Sequence, residues 1–249
     1  MKPALKARLA AGEQLLGVLV RLPAEELVEM AGVAGLDYVL IDCEHGPADL
    51  VALRAHITVA QLHGMDVLVR VGQHEPALIQ RVLDHGATGI VVPHVDDARQ
   101  AAAVVQAARY PPIGDRGFAT YGRAGRFGTV SAADHLRADA EQTLVIAMIE
   151  SQIGCRNARE ISAVPGIDGV MCGPADLAVS LGVSGPGHPA VTKALREVHA
   201  AVADMERIRM EIVSAEERAA AAFQAGAGLV VMNLSHLLMQ MFAELRRIH

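Results

Sequence analysis

The sequence predicts an α/β protein, a closed (β/α)8 TIM barrel, and three observations lead there. Short runs rich in Val, Ile and Leu alternate with longer amphipathic stretches, the pattern of repeated βα units around a parallel sheet. The 249 residues suit one such barrel, which takes ~250. No glycine-rich phosphate turn opens a helix after the first strand, where VLVRLPAEE stands instead, and this disfavours an open doubly wound sheet.

In order, the strand candidates are Leu16–Val20, Tyr38–Asp42, Val67–Val71, Gly89–Pro93, Leu144–Ile149, Gly169–Cys172, Met210–Val213 and Leu229–Met232. Helical spacing fills the intervals, for example over Ala48–Leu62, Pro76–Asp84, Asp96–Ala108 and Ala215–Ala225. No Ser/Pro-rich linker divides the chain, so 1–249 reads as a single barrel domain. The stretch 110–130, YPPIGDRGFATYGRAGRFGTV, is long and irregular, and such a loop is either functional or a surface excursion. The closing apolar segment, Leu237–Ile248, reads as a helix that packs on its own barrel or on a neighbour.

Composition narrows the partners. A net charge of −6 without a long basic run argues against nucleic acid or an anionic membrane as the main partner. Cys43, Cys155 and Cys172 are too few and too odd for a disulfide framework, which favours a reducing compartment. LLGVLV at 15–20 is too short for a signal peptide, and no run reaches the ~20 apolar residues of a membrane span. A cytoplasmic protein is expected.

Catalytic residues of a TIM barrel come from the C-terminal ends of its strands. Strand two ends in IDCEHGP, giving Asp42, Glu44 and His45, and strand three ends in LVRV, giving Arg70. Strand five ends in AMIES, giving Glu150, and strand six runs into GVMCGPADL, giving Gly173, Pro174, Ala175 and Asp176. Glu150 and Asp176 are the candidate metal ligands. Their hard oxygens leave positions for water and substrate on Mg2+, Mn2+ or Co2+, with Zn2+ a further option. A 2-oxo acid can chelate such an ion, which then acts as a Lewis acid and stabilises an enolate. Structural roles compete: a strand-end salt bridge or helix cap for Glu150, an N-cap for Asp176.

Gly173-Pro174-Ala175 either seats a carboxylate at a helix N-terminus or makes an ordinary βα turn. His45 is the acid/base candidate, since imidazole exchanges protons near neutrality, with Asp42 or Asp84 to orient its ring. Arg70 either stabilises charge on an enolate or carboxylate, or pairs with Glu44 or Asp42. Lys2, Lys6 and Lys193 all lie away from the strand ends, which excludes a Schiff-base mechanism. Cys43 and Cys172 lie near the mouth and read as small apolar residues.

Taken together, DYVLIDCEHGP, VLVRV, GIVVPHVDDARQA, ARYPPIGDRGF, MIES and IDGVMCGPADLAVSLG resemble the HpcH/HpaI aldolase family over nearly the whole chain. These are metal-dependent (class II) pyruvate aldolases of 4-hydroxy-2-oxoheptanedioate and related acids. The resemblance implies a barrel of the phosphoenolpyruvate/pyruvate type. It also implies reversible cleavage of a 4-hydroxy-2-oxo acid, that substrate or a 2-keto-3-deoxy sugar acid, to pyruvate and an aldehyde. Glu150 and Asp176 would bind the metal, and Arg70 the pyruvyl unit. His45 would be the acid/base, assisted by Asp42 or Asp84, and the backbone at Ala175 and Asp176 would hold the pyruvate carboxylate. A hexamer, a trimer of dimers that exchange C-terminal helices, is also implied.

Met148, where those enzymes often carry Gln, departs from the heptanedioate pattern, as do Arg21, Ser235 and Glu211. The departures bear on the aldehyde half of the substrate, where Arg21, Arg116 and Arg123 are candidates to bind a distal carboxylate. Two other readings compete. A CoA-ester lyase of the citramalyl or malyl type is disfavoured by the few lysines. A non-catalytic barrel that binds a small acid is disfavoured by the intact Glu150, Asp176, His45 and Arg70.

Overall fold

In the computed structural model, which describes residues 3–46, 49–73 and 75–247, the apolar runs form strands that close on themselves. They are β1 (Leu15–Val20), β2 (Tyr38–Asp42), β3 (Asp66–Arg70), β4 (Gly89–Val92), β5 (Leu144–Ile149), β6 (Gly169–Cys172), β7 (Ile208–Val213) and β8 (Leu229–Asn233). Each pairs in parallel with the next, and β8 returns to β1 with Leu16 opposite Val230. This is the predicted TIM barrel, with strand limits within two residues of those expected.

Helix α1 (Leu5–Ala10) precedes β1. The connections carry α2 (Glu25–Val33), α3 (Leu50–Leu62), α4 (Pro76–Asp84), α5 (Ala98–Ala108), α6 (Ala132–Gln142), α7 (Gln152–Arg156), α8 (Ala158–Ala163), α9 (Pro174–Ser180), α10 (Pro189–Asp204) and α11 (Glu216–Gln224). Helix α12 (Leu234–Arg246) follows β8. Ala48 and Ile248, bounds of two expected helices, lie outside the described residues. Side chains start several helices by accepting orphan N–H groups: Asp49 for α3, Asp97 for α5 and Ser151 for α7. Proline stands in the first turn of α4, α9 and α10, where it costs no hydrogen bond.

Period-two alternation sorts each strand between two cores. Leu15 and Leu19, Tyr38 and Leu40, Leu68, Leu144 and Ile146 belong to a cluster inside the barrel, which Leu5 of α1 joins. Their neighbours Val18, Val39, Ile41, Val67 and Val69 pack in a second cluster that also contains helix residues. Gly17 makes room for the fully buried Tyr38, since a Cβ there would lie 2.7 Å from the ring. Continued two residues at a time past the inner hydrocarbon, the same phase reaches Arg21, Asp42 and Glu44, Arg70, Met148 and Glu150, and Gly173. The polar mouth is thus the top layer of the barrel interior.

The 110–130 segment belongs to the other end. Arg116, 5% exposed, bonds Asp84 at 2.6 Å and Asp139 at 2.9 Å and stacks over Tyr110 at 4.7 Å. Residues 116, 123 and 126 line a cavity of about 630 Å3 with Asp66, Thr88 and Thr143, which stand at or before the starts of β3, β4 and β5. Helix α12 has no buried residue, and Met239, Met241, Phe242 and Leu245 stand exposed on it. Among the described residues no helix is long and apolar enough to cross a membrane.

Candidate active site

Asp42 is the hub of the mouth. It is 2% exposed, and Arg70 grips it with two bonds, Nε to Oδ1 at 2.9 Å and Nη2 to Oδ2 at 2.6 Å. Arg21 Nε adds a bond of 2.6 Å to Oδ2, and the backbone N–H groups of Glu44 and His45 donate to Oδ1 at 3.2 Å. Burial alone would raise the Asp42 carboxyl, but the bonds from Arg70 and Arg21 carry it down to about 2. The fork fixes the Arg70 guanidinium and leaves its Nη1 with the Met148 sulfur, a weak acceptor 3.9 Å away.

Glu44 and Glu150 complete the floor. Glu44 Oε2 lies 3.2 Å from Arg70 Nε, and Glu150, 3% exposed, accepts the backbone N–H of His94 at 2.9 Å. Burial lifts the Glu150 carboxyl to about 7; the His94 N–H and ring oppose the rise, while Asp176 and Glu44 add to it. Gly173 is required beside it, because a Cβ there would stand 2.3 Å from Glu150 Oε2.

The structure brings His45, Arg70, Asp42, Glu150, Gly173, Pro174, Ala175 and Asp176 to the strand C-terminal ends, as expected. Asp176 is not an N-cap: Gly173 is, and Asp176 sits exposed in the first turn of α9, near the positive helix end. The ring of His45 is open to solvent, and its closest ion-pair partner is Glu44, with Oε2 3.8 Å from Nε2. Asp42 therefore reaches His45 through the backbone and not the ring.

Asp84 is not brought near His45 within this chain. It ends α4, which runs back toward the strand N-termini, and Arg116 takes its charge there. Arg116 and Arg123 share that end, so neither reaches the mouth of its own barrel. Lys6 pairs with Asp168 and Lys193 stands exposed on α10, so among the described residues no lysine reaches the site. Burial pushes the Cys43 thiol up to about 11 and Cys172 higher, leaving neither as a ready nucleophile.

Asp42, Glu44, Glu150 and Asp176 face Arg21 and Arg70, and Asp42 absorbs much of both guanidinium charges. A buried carboxylate without a matching cation is costly; among the described residues His94 Nδ1 is the ion-pair partner of Glu150, at 3.2 Å, while Arg70 acts on it from farther away and is held by Asp42. This donor set fits a divalent cation.

The profile of the HpcH/HpaI aldolase/citrate lyase family matches residues 16–234. The chain belongs to that family. A hydroxypyruvate/pyruvate aldolase of Pseudomonas aeruginosa is 38% identical over 250 aligned positions, covering 96% of this chain and 90% of that one. A 5-keto-4-deoxy-D-glucarate aldolase of Klebsiella pneumoniae is also 38% identical, covering 78% of this chain and 76% of its own. The crystal structure of an HpcH/HpaI aldolase from Desulfitobacterium hafniense superposes with a TM-score of 0.92 at 29% identity, covering 99% of this chain and 97% of that one. The chain is accordingly a carbon–carbon lyase of the metal-dependent pyruvate aldolase kind.

Sequence reasoning passed over one residue of this aldolase site. His94 follows the end of β4, in VVPHVDD, and its backbone is left-handed at φ 54°. Inspection of strand ends, extended to the fourth strand, would have named it.

Proposed function

We propose that this aldolase reversibly cleaves a 4-hydroxy-2-oxo acid, such as 4-hydroxy-2-oxoheptanedioate or a 2-keto-3-deoxy sugar acid, to pyruvate and an aldehyde. Glu150 and Asp176 hold a divalent ion, Mg2+, Mn2+ or Co2+, with Zn2+ the further option. When bound, the ion supplies Lewis-acid polarisation of the 2-oxo group. Arg70 presents Nη1 to the 2-oxo acid, and the N–H groups of Ala175 and Asp176 in the turn after Gly173 and Pro174 face its carboxylate. His45 takes the 4-hydroxyl proton. As the C3–C4 bond breaks, its electrons pass to the pyruvyl half as an enolate beside Arg70, the aldehyde leaves, and a proton returned to C3 gives pyruvate.

One observation carries this reading: the Asp42–Arg70 fork stands beside a buried, undercompensated Glu150 at the C-terminal end of the barrel. Asp42 acts by holding Arg70 and the His45 backbone. Asp84 reaches a His45 ring only across a subunit contact. The unburied α12 supports a homo-oligomer, read here as a hexamer built as a trimer of dimers with swapped C-terminal helices. A single barrel carries the activity in the cytoplasm, with no nucleic-acid or membrane partner. The test is exchange of the pyruvate methyl protons with deuterium, followed by NMR, with Mg2+, Mn2+ or Co2+ added. Exchange that needs both the metal and Glu150 is expected; a folded protein that gives none with any divalent ion sinks the proposal.

A further inference from the structure

The metal reading so far uses two oxygen ligands, and His94 is left without a part in it. Its ring stands 41% exposed at the mouth, so it is no core filler. His94 Nδ1 lies 3.2 Å from Glu150 Oε1, and Nε2 lies 3.7 Å from Glu44 Oε1. One donor atom each from Glu44, His94 and Glu150 falls within 4.8 Å of the others. Adjacent ligand atoms on a six-coordinate ion with bonds of ~2.1 Å are about 3 Å apart, so the His94 and Glu150 atoms are already spaced as neighbours on one ion.

The backbone points the same way. Left-handed φ is uncommon for a residue with a side chain, and glycine would meet the turn more cheaply. The N–H of residue 94 would reach Glu150 equally well without a ring. A ligating histidine usually directs its other nitrogen at a carboxylate, which fixes ring and tautomer, and Glu44 stands on that side of the ring.

We propose that His94 is a third protein ligand to the divalent ion, binding through Nδ1 next to Glu150, with Glu44 orienting the ring through Nε2. This rests on the metal-dependent reading above and adds a nitrogen donor to it. Imidazole favours Co2+ and Zn2+ far more than Mg2+, with Mn2+ between them. The aldolase therefore selects for Co2+ and Zn2+ by a residue outside the predicted carboxylate pair.

The test compares wild type with His94→Gly and His94→Asn, two residues that tolerate left-handed backbone, after removal of metal with a chelator. Calorimetric titration with Co2+ and with Mg2+ should show Co2+ binding weakened by about 10-fold or more in both variants, and Mg2+ binding changed by less than about threefold. Spin-echo modulation from a directly bound 14N should be present in the Mn2+-loaded wild type and absent from His94→Gly. Equal losses for Co2+ and Mg2+, unchanged Co2+ binding, or a 14N signal that survives in His94→Gly would each overturn the assignment. Failure of the folded wild type to bind any divalent ion would instead overturn the metal reading beneath it. Melting curves confirm that the variants fold.

Discussion

The two ends of this barrel carry similar residues arranged to opposite effect. At the N-terminal end, carboxylates meet cations within the chain: Asp168 takes Lys6 and Arg109, Asp37 takes Arg8, and Asp84 and Asp139 share Arg116. At the C-terminal end Asp42 is served by two arginines while Glu150, a few ångströms of barrel away, is left nearly alone. Charge at one end staples the βα units together. At the other it is held out of balance, and under the proposed function that imbalance is what would bind and polarise a substrate.

Breaking the contrast should give its largest effect at Glu150. Glu150→Gln should lower kcat/KM by ~10^3-fold or more, as expected where charge stabilisation of a transition state is lost. The metal-free variant should melt no lower than wild type, because burial opposes the Glu150 charge. A steady-state assay of pyruvate release and a melting curve read both. Arg70→Lys keeps the charge but loses the fork on Asp42, and kcat/KM should fall ~10^2-fold. An Arg70→Lys enzyme with wild-type kinetics would remove Arg70 from the mechanism.

At the opposite end the same kind of substitution should act on stability alone. Asp168→Asn leaves Arg109, 5% exposed, short of its counter-charge, and should cost about 3 kcal/mol in urea unfolding. Well below its melting point its kcat should match wild type, and a large drop would mean the two ends are coupled.

Asp42 sharpens the comparison through pH. Its folded value of about 2 lies below the ordinary 3.8, so the folded state favours the charged form. The stabilisation is fully present above about pH 4 and is lost as pH falls toward about 2, a change of roughly 2 kcal/mol. The stability gap between wild type and Asp42→Asn should shrink over that range in urea titrations, and a gap independent of pH would contradict the ionised fork. The smallest effect is expected at Met148. Glutamine there would compete for Arg70 Nη1 and raise KM for pyruvate about threefold, measured in the aldol direction.

Much of this was legible in the sequence because a strand's period of two is strict. Once β2, β3, β5 and β6 were placed, Asp42, Arg70, Glu150 and Gly173 followed as strand-end residues. His94 escaped because it lies two residues past the end of β4, and the left-handed turn after Pro93 that brings its N–H to Glu150 follows no strand periodicity. Asp84, Arg116 and Arg123 stand away from the mouth of their own barrel for a different reason. Asp84 was expected to orient His45, and Arg116 and Arg123 to bind a distal carboxylate, but a helix that follows a strand carries its C-terminus back to the barrel's other end, and Arg116 holds the loop there. The side chain that pairs with a given charge is a property of packing, and no local pattern announces it.

Gly173 shows how sequence drift would first damage this enzyme. A single methyl group there would stand 2.3 Å from Glu150 Oε2 and 2.7 Å from Met148 Cε, so it displaces the Glu150 carboxylate and presses on the uppermost side chain of the inner hydrocarbon. Gly173→Ala is thus the mildest edit on paper and among the most severe in effect. Under the proposed function, a lineage that acquired it would lose the placement of Glu150 on which the reaction rests.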